Sequence, residues 1–159
     1  MMISKKYFLL LFLLNFYFSK AQVTPHTTVF VGYEYQNQSF GEVGTRFIFL
    51  KKDDVLYRLS GSALFGSANR KLLVLPKIQG DFLLNFNKNT TLQHGNYFLI
   101  GAEATTVYVA PKIGISILGI LDFTGGYAFN YGDKRVNEKK LEGLNFNFSI
   151  NIPLVVFQK

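Results

Sequence analysis

The chain has 159 residues, no Cys and no Trp, but 17 Phe and 9 Tyr. The lack of Cys excludes a disulfide framework, a thiolate metal site and a lipidated N-terminal cysteine. The formal net charge is +7 with only 17% charged residues, below the roughly 25% of ordinary soluble domains; without the three lysines of the N-terminal segment the excess is +4, too small and scattered to argue for nucleic acid, and the length fits one domain.

Residues 1–21, "MMISKKYFLLLFLLNFYFSKA", read as a secretory signal peptide. Lys5 and Lys6 give its basic start, Tyr7 to Phe18 its apolar run, and Ser19 and Ala21 the small residues that a signal peptidase inspects. Twelve helical residues reach roughly 18 Å, short of a bilayer core of about 30 Å, so cleavage after Ala21 is expected rather than anchoring. The mature chain would be residues 22–159; losing Lys5, Lys6 and Lys20 from 17 basic residues leaves 14 against 10 acidic ones. Nothing beyond the signal approaches 18 continuous apolar residues. The mature chain is therefore soluble after export, or it crosses a membrane as a β-barrel.

From there the sequence alternates with period two, the signature of strands. Val29, Val31, Tyr33 and Tyr35 share a face; after "QNQSFG", Val43, Thr45, Phe47 and Phe49 share another. "KKDD" at 51–54 is a polar turn, followed by Val55, Tyr57, Leu59, Gly61, Ala63 and Phe65, then the loop "GSANRK". Ile78, Gly80, Phe82, Leu84 and Phe86 mark a fourth strand within 72–86, and "NKNTTLQHGN" a turn after it. Strands follow near 97–105 and 107–117, a tight turn at 118–120, and a seventh strand carrying Leu121, Phe123, Gly125, Tyr127 and Phe129. "NYGDKRVNEKKLE" is the longest loop, and "GLNFNFSINIPLVVF" the eighth strand. Pro76, Pro111 and Pro153 fall inside strands, where each removes a ladder donor; they call for bulges or for pairing that has already ended near a rim.

The polar faces decide which way the strands point. They carry Glu34, Glu42, Arg46, Arg58, Lys77, Asp81, Glu103, Lys112 and Asp122, five acids and four bases, among Gly, Ser, Thr and Asn. The apolar faces of the same strand cores carry no charge. A basic side chain facing lipid at the midplane costs about 2–4 kcal/mol, a penalty that selects this segregation. Tyr33, Tyr35, Tyr57, Tyr127 and Phe129 lie toward strand ends on the apolar face, as in aromatic girdles. The expected fold is all-β: an eight-stranded antiparallel up-and-down transmembrane β-barrel, preceded by a cleavable signal peptide.

The signal ending in "KAQ", the eight alternating segments, "GYEY" in the first strand and "FNFSINIPLVVF" at the end resemble small OmpA/OmpX-like outer-membrane barrels of Bacteroidetes-type bacteria. The resemblance implies short periplasmic turns, longer outer loops and a last strand recognised by the barrel-insertion machinery. That strand usually ends on an aromatic residue, whereas here Phe157 is followed by Gln158 and Lys159. The family is functionally mixed, so fold alone does not carry function.

His26 and His94 are the only histidines, and no GxSxG arrangement is present, so no catalytic, cofactor or metal site is expected. The nine polar-face charges are expected to form a structural network inside the barrel, with Glu103 and Lys112 flanking one connection and Glu34, Glu42 and Arg46 another. The leading expectation is a monomeric, non-enzymatic outer-membrane protein with a largely plugged polar lumen, in contact with outer-membrane lipid. Its role would be structural or exerted through its outer loops, chiefly "NYGDKRVNEKKLE". The alternatives are a narrow pore for ions or small solutes, and a soluble exported β-protein that binds an apolar ligand.

Overall fold

The computed structural model describes residues 25–50, 55–68, 70–86, 95–132 and 135–154. The signal-peptide expectation, the turn residues 87–94 with His94, and the last aromatic residue, Phe157, lie outside them. Seven long strands come in chain order: β1 Pro25–Gln36, β2 Ser39–Leu50, β3 Val55–Ala68, β4 Lys71–Asn85, β5 Tyr97–Thr105, β6 Tyr108–Ile117 and β7 Leu121–Asn130. A two-residue pair, β8 Arg135–Val136 and β9 Lys139–Lys140, interrupts the longest connection before β10, Gly143–Pro153.

Each long strand pairs antiparallel with its neighbours, and β10 closes on β1, so that eight strands form one barrel. The register winds steadily. A line of paired residues from His26 runs through Ile48, Arg58, Asp81, Gly101, Lys112, Gly126 and Asn145 and returns to β1 at Gln36, ten residues further along. With strands about 4.8 Å apart and a rise of about 3.3 Å per residue, that stagger tilts the strands by about 40°. A twelve-residue strand then climbs about 30 Å along the axis.

The turns follow from local chemistry. Asn37 takes φ of +53° in a two-residue turn between β1 and β2, where asparagine tolerates the left-handed region better than most residues. Leu118 and Gly119 are both left-handed, and Ile120 N donates to Ile117 O at 3.0 Å, the tight turn expected from sequence. At the β5–β6 turn Thr105 Oγ1 accepts from the amides of Val107 and Tyr108, at 3.1 and 3.0 Å.

Two expectations about connections are corrected. "QNQSFG" and "GSANRK" are mostly strand: β1 and β2 leave only residues 37–38 between them, and β3 and β4 only 69–70. The alternating outward faces simply continue into both segments, where ladder pairs satisfy the backbone. The loop-length asymmetry implied by the resemblance is accordingly absent. At the end far from the strand termini, the connections are 37–38, 69–70, 106–107 and 131–142; at the terminal end they are 51–54, 86–96 and 118–120.

The prolines are accommodated without bulges. Pro76 pairs with Ala63, but the β4–β5 ladder stops one residue away, at Lys77 and Thr105. Pro153 pairs with Thr28 beyond the end of the β10–β7 ladder at Ile150. Pro111 sits mid-strand: β6–β7 pairing lapses after Val109 and resumes at Lys112 in the same register. Next to this gap Gly126 lets the chains approach, since a Cβ there would lie 2.1 Å from Pro111 O.

Candidate functional site: the charged interior

Because side chains alternate across each strand, the register carries every second residue inward. All nine charges named from the sequence arrive in the interior, each no more than 4% exposed. They gather in two groups.

The group nearer the far end is centred on Lys77, from β4. Its Nζ lies 2.6 Å from Glu34 Oε2 of β1, 2.6 Å from Glu42 Oε1 of β2 and 3.2 Å from Glu103 Oε2 of β5. Lys112, from β6, reaches Glu103 Oε2 at 2.6 Å and Glu34 Oε2 at 3.8 Å. Three carboxylates thus face two ammonium groups. Neutral donors make up the difference: Asn145 Nδ2 donates to Glu34 and Glu103, each at 3.0 Å. Asn147 Nδ2 donates to Glu42 at 2.6 Å, Ser62 Oγ donates to Glu42 at 2.6 Å, and the Tyr108 hydroxyl donates to Glu34.

The second group pairs two arginines with two aspartates. Asp122 Oδ2 of β7 receives Arg46 NH1 at 2.7 Å and Arg58 NH1 at 2.6 Å. Arg58 also donates through Nε to Asp81 Oδ2 at 2.8 Å, and Gln79 Nε2 supports Asp81 from 3.0 Å. Arg46 donates to Ser149 Oγ at 2.9 Å and to Asn151 Oδ1, and its guanidinium stacks 3.7 Å from the centroid of Phe30. Planar, multidentate guanidinium suits a site where one cation must serve several acceptors.

The sequence juxtaposed some of these residues correctly. Glu103 and Lys112 do meet across their shared connection. Glu34, Glu42 and Arg46 do not form a unit: both glutamates turn to Lys77, while Arg46 crosses to Asp122. The period-two alternation of "LNFNFSINI" also points its asparagines and serine into the lumen, and all four are buried there. Asn145, Asn147, Ser149 and Asn151 form a column on β10 that touches both groups. Period two, counted back from Lys112 through Ala110, also carried the signal for Tyr108. Burying these charges has a large desolvation cost, offset only when each is paired and hydrogen-bonded.

Apolar layers bound the charges at both ends. Toward the far end, Phe40, Leu64, Leu75, Val107 and Tyr108 pack with Val136 and Leu141 from the 131–142 connection. Toward the terminal end, Leu56, Leu83, Tyr97 and Leu99 pack together. The far connection is tied across the mouth. Asn37 Nδ2 donates to Lys140 O at 2.9 Å and Glu142 O at 2.6 Å; Asn137 Nδ2 donates to Gln38 Oε1 at 2.9 Å and Ser67 O at 2.6 Å.

The outer surface is the opposite of the interior. Val31, Val43, Leu59, Ile78, Phe82, Ile100, Ile113, Phe123 and Phe146 are among many large apolar side chains exposed on it. Among the described residues, no charged side chain lies on the outward face of a long strand. His26 sits at the start of β1 opposite Ile48, away from both charge groups.

Fold and interior together define an eight-stranded antiparallel β-barrel, consistent with the OmpA/OmpX-like fold. In comparisons with known proteins, no family model and no curated protein matches the chain.

Proposed function

We propose that this chain is a non-enzymatic integral outer-membrane β-barrel, exported by the N-terminal signal, with a polar interior that plugs it. One observation carries the reading: the barrel is inverted relative to a soluble protein. Its strands point nine charges inward and a continuous apolar surface outward. In water that surface would be far larger than a monomer ordinarily exposes, whereas in lipid it is the required one. Tilted by about 40°, the strands climb from about 23 Å for nine-residue β5 to about 30 Å for twelve-residue β1 and β2, which matches the apolar band of about 25 Å.

The interior favours a plug over a pore, because paired charges cross it at two levels between two apolar layers. Two-residue turns at three of the four far connections favour a structural role over one exerted through loops. The charged groups placed inside serve each other, which is the basis for reading the protein as non-enzymatic and free of cofactor. Partners on this reading are membrane lipid and, during biogenesis, the insertion machinery.

The narrow-pore reading draws on one feature: the hydroxyls of Thr28, Ser60 and Thr124 are buried without a hydrogen-bond partner, as if a file of water could serve them. A soluble carrier of an apolar ligand would need an apolar interior, and this one is charged. Heat-modifiable migration on a detergent gel tests the leading reading: the folded barrel should run ahead of the boiled chain. A protein that stays folded in buffer without detergent would contradict it. Planar-bilayer recording separates plug from pore, with no discrete conductance steps expected.

A further inference from the structure

Every charged residue in the described structure falls in one of two places. Nine lie in the interior, and the other seven, Arg70, Lys71, Arg135, Glu138, Lys139, Lys140 and Glu142, lie at the far rim. Among the described residues the far rim holds five bases against two acids. By its sequence alone the 131–142 loop is almost neutral, with four bases against three acids. Folding changes this, because Asn137 ties the β8–β9 tip to Ser67 and Gln38. The loop's bases are thereby placed on the same rim as the β3–β4 turn that carries Arg70 and Lys71. The two basic connections leave the eight-stranded ring four strands apart, and the β7–β10 connection crosses the mouth to meet the end of β3 beside the β3–β4 turn.

Directly below this rim, on the outward face of β1 and β7 and just beyond β7, stand Tyr33, Tyr35, Tyr127 and Tyr131, all exposed. At the terminal end Tyr57 is the only outward tyrosine among the described residues. Tyrosine belts mark the level where acyl chains give way to headgroups. Bases just above such a belt stand at phosphate height, and bases near a membrane surface attract anionic lipid.

We propose that the far rim is a seat for anionic, phosphate-bearing lipid headgroups of the leaflet around it. The proposal rests on the membrane reading. Charge complementarity selects the partner class, and the position above the tyrosines selects lipid over soluble phosphate.

The test is native mass spectrometry of the protein released from vesicles of equal phosphatidylcholine and phosphatidylglycerol. Phosphatidylglycerol should be retained preferentially and lost as salt rises. Each base removed should weaken retention by about fivefold, and the combined Arg70→Gln, Lys71→Gln, Arg135→Gln, Lys139→Gln variant should abolish the preference. These side chains are exposed, and Glu138→Gln with Glu142→Gln should act in the opposite sense and strengthen it. Equal retention of both lipids by an inserted barrel overturns the proposal alone. Equal retention of inorganic phosphate, offered in place of lipid to the detergent-held barrel, overturns the choice of lipid. Failure to insert, read as no heat-modifiable shift, overturns the membrane reading and this proposal with it.

Discussion

At the scale of single residues, the interior is an unequal balance, and the inequality has direction. Lys77 contacts three carboxylates, and Lys112 reaches only Glu103 closely. Lys77→Met would leave Glu42 with no base, so unfolding by urea in vesicles should show a loss of about 3–5 kcal/mol, the range for an orphaned buried charge. Glu42→Gln removes the surplus carboxylate instead. It should cost much less than Lys77→Met, and it should partly rescue that variant when the two are combined. Equal losses from Lys77→Met and Glu42→Gln would mean that the charges are solvated rather than paired. Gly126 tests packing at the same scale. A Cβ there would press on the Pro111 carbonyl, so Gly126→Ala should cost about 1–3 kcal/mol by overpacking, measured by the same unfolding titration.

At the scale of elements, the 131–142 connection is a strap held by two asparagines and two apolar side chains. Val136 and Leu141 enter the apolar layer, while Asn37 and Asn137 donate to the main chain on either side of the mouth. Removing both asparagines as Asn37→Ala and Asn137→Ala should leave the barrel intact but speed tryptic cleavage at Lys139 and Lys140. Unchanged cleavage would show that the apolar contacts alone hold the strap. This element also shows where sequence reading ran out. The strands were legible because a period of two needs only local side-chain order, and β5 appears at the same residues expected for it. Facing was legible because nine charges shared one face. The β8–β9 pair was not, since Arg135, Val136, Lys139 and Lys140 are too few to show a period. The partners of Arg46 were hidden for a different reason. They depend on how far the register winds around a closed ring, which no single strand encodes.

At the scale of the whole molecule, the ten-residue stagger, the buried charge and the apolar exterior describe one object, which the proposed function reads as a barrel built for a solvent other than water. A charge placed on that exterior should therefore matter only in lipid. Ile113 is 60% exposed, and in water Ile113→Arg would be nearly neutral. In vesicles it should destabilise the barrel by about 2–4 kcal/mol. The lack of Trp allows a more direct measurement, with one tryptophan introduced as Phe146→Trp, on the outward face of β10. In vesicles of lipid brominated on the acyl chain, its fluorescence should be blue-shifted and strongly quenched, while aqueous acrylamide should leave it largely untouched. Emission that is red-shifted, quenched by acrylamide and indifferent to bromine would place that face in water and contradict the account.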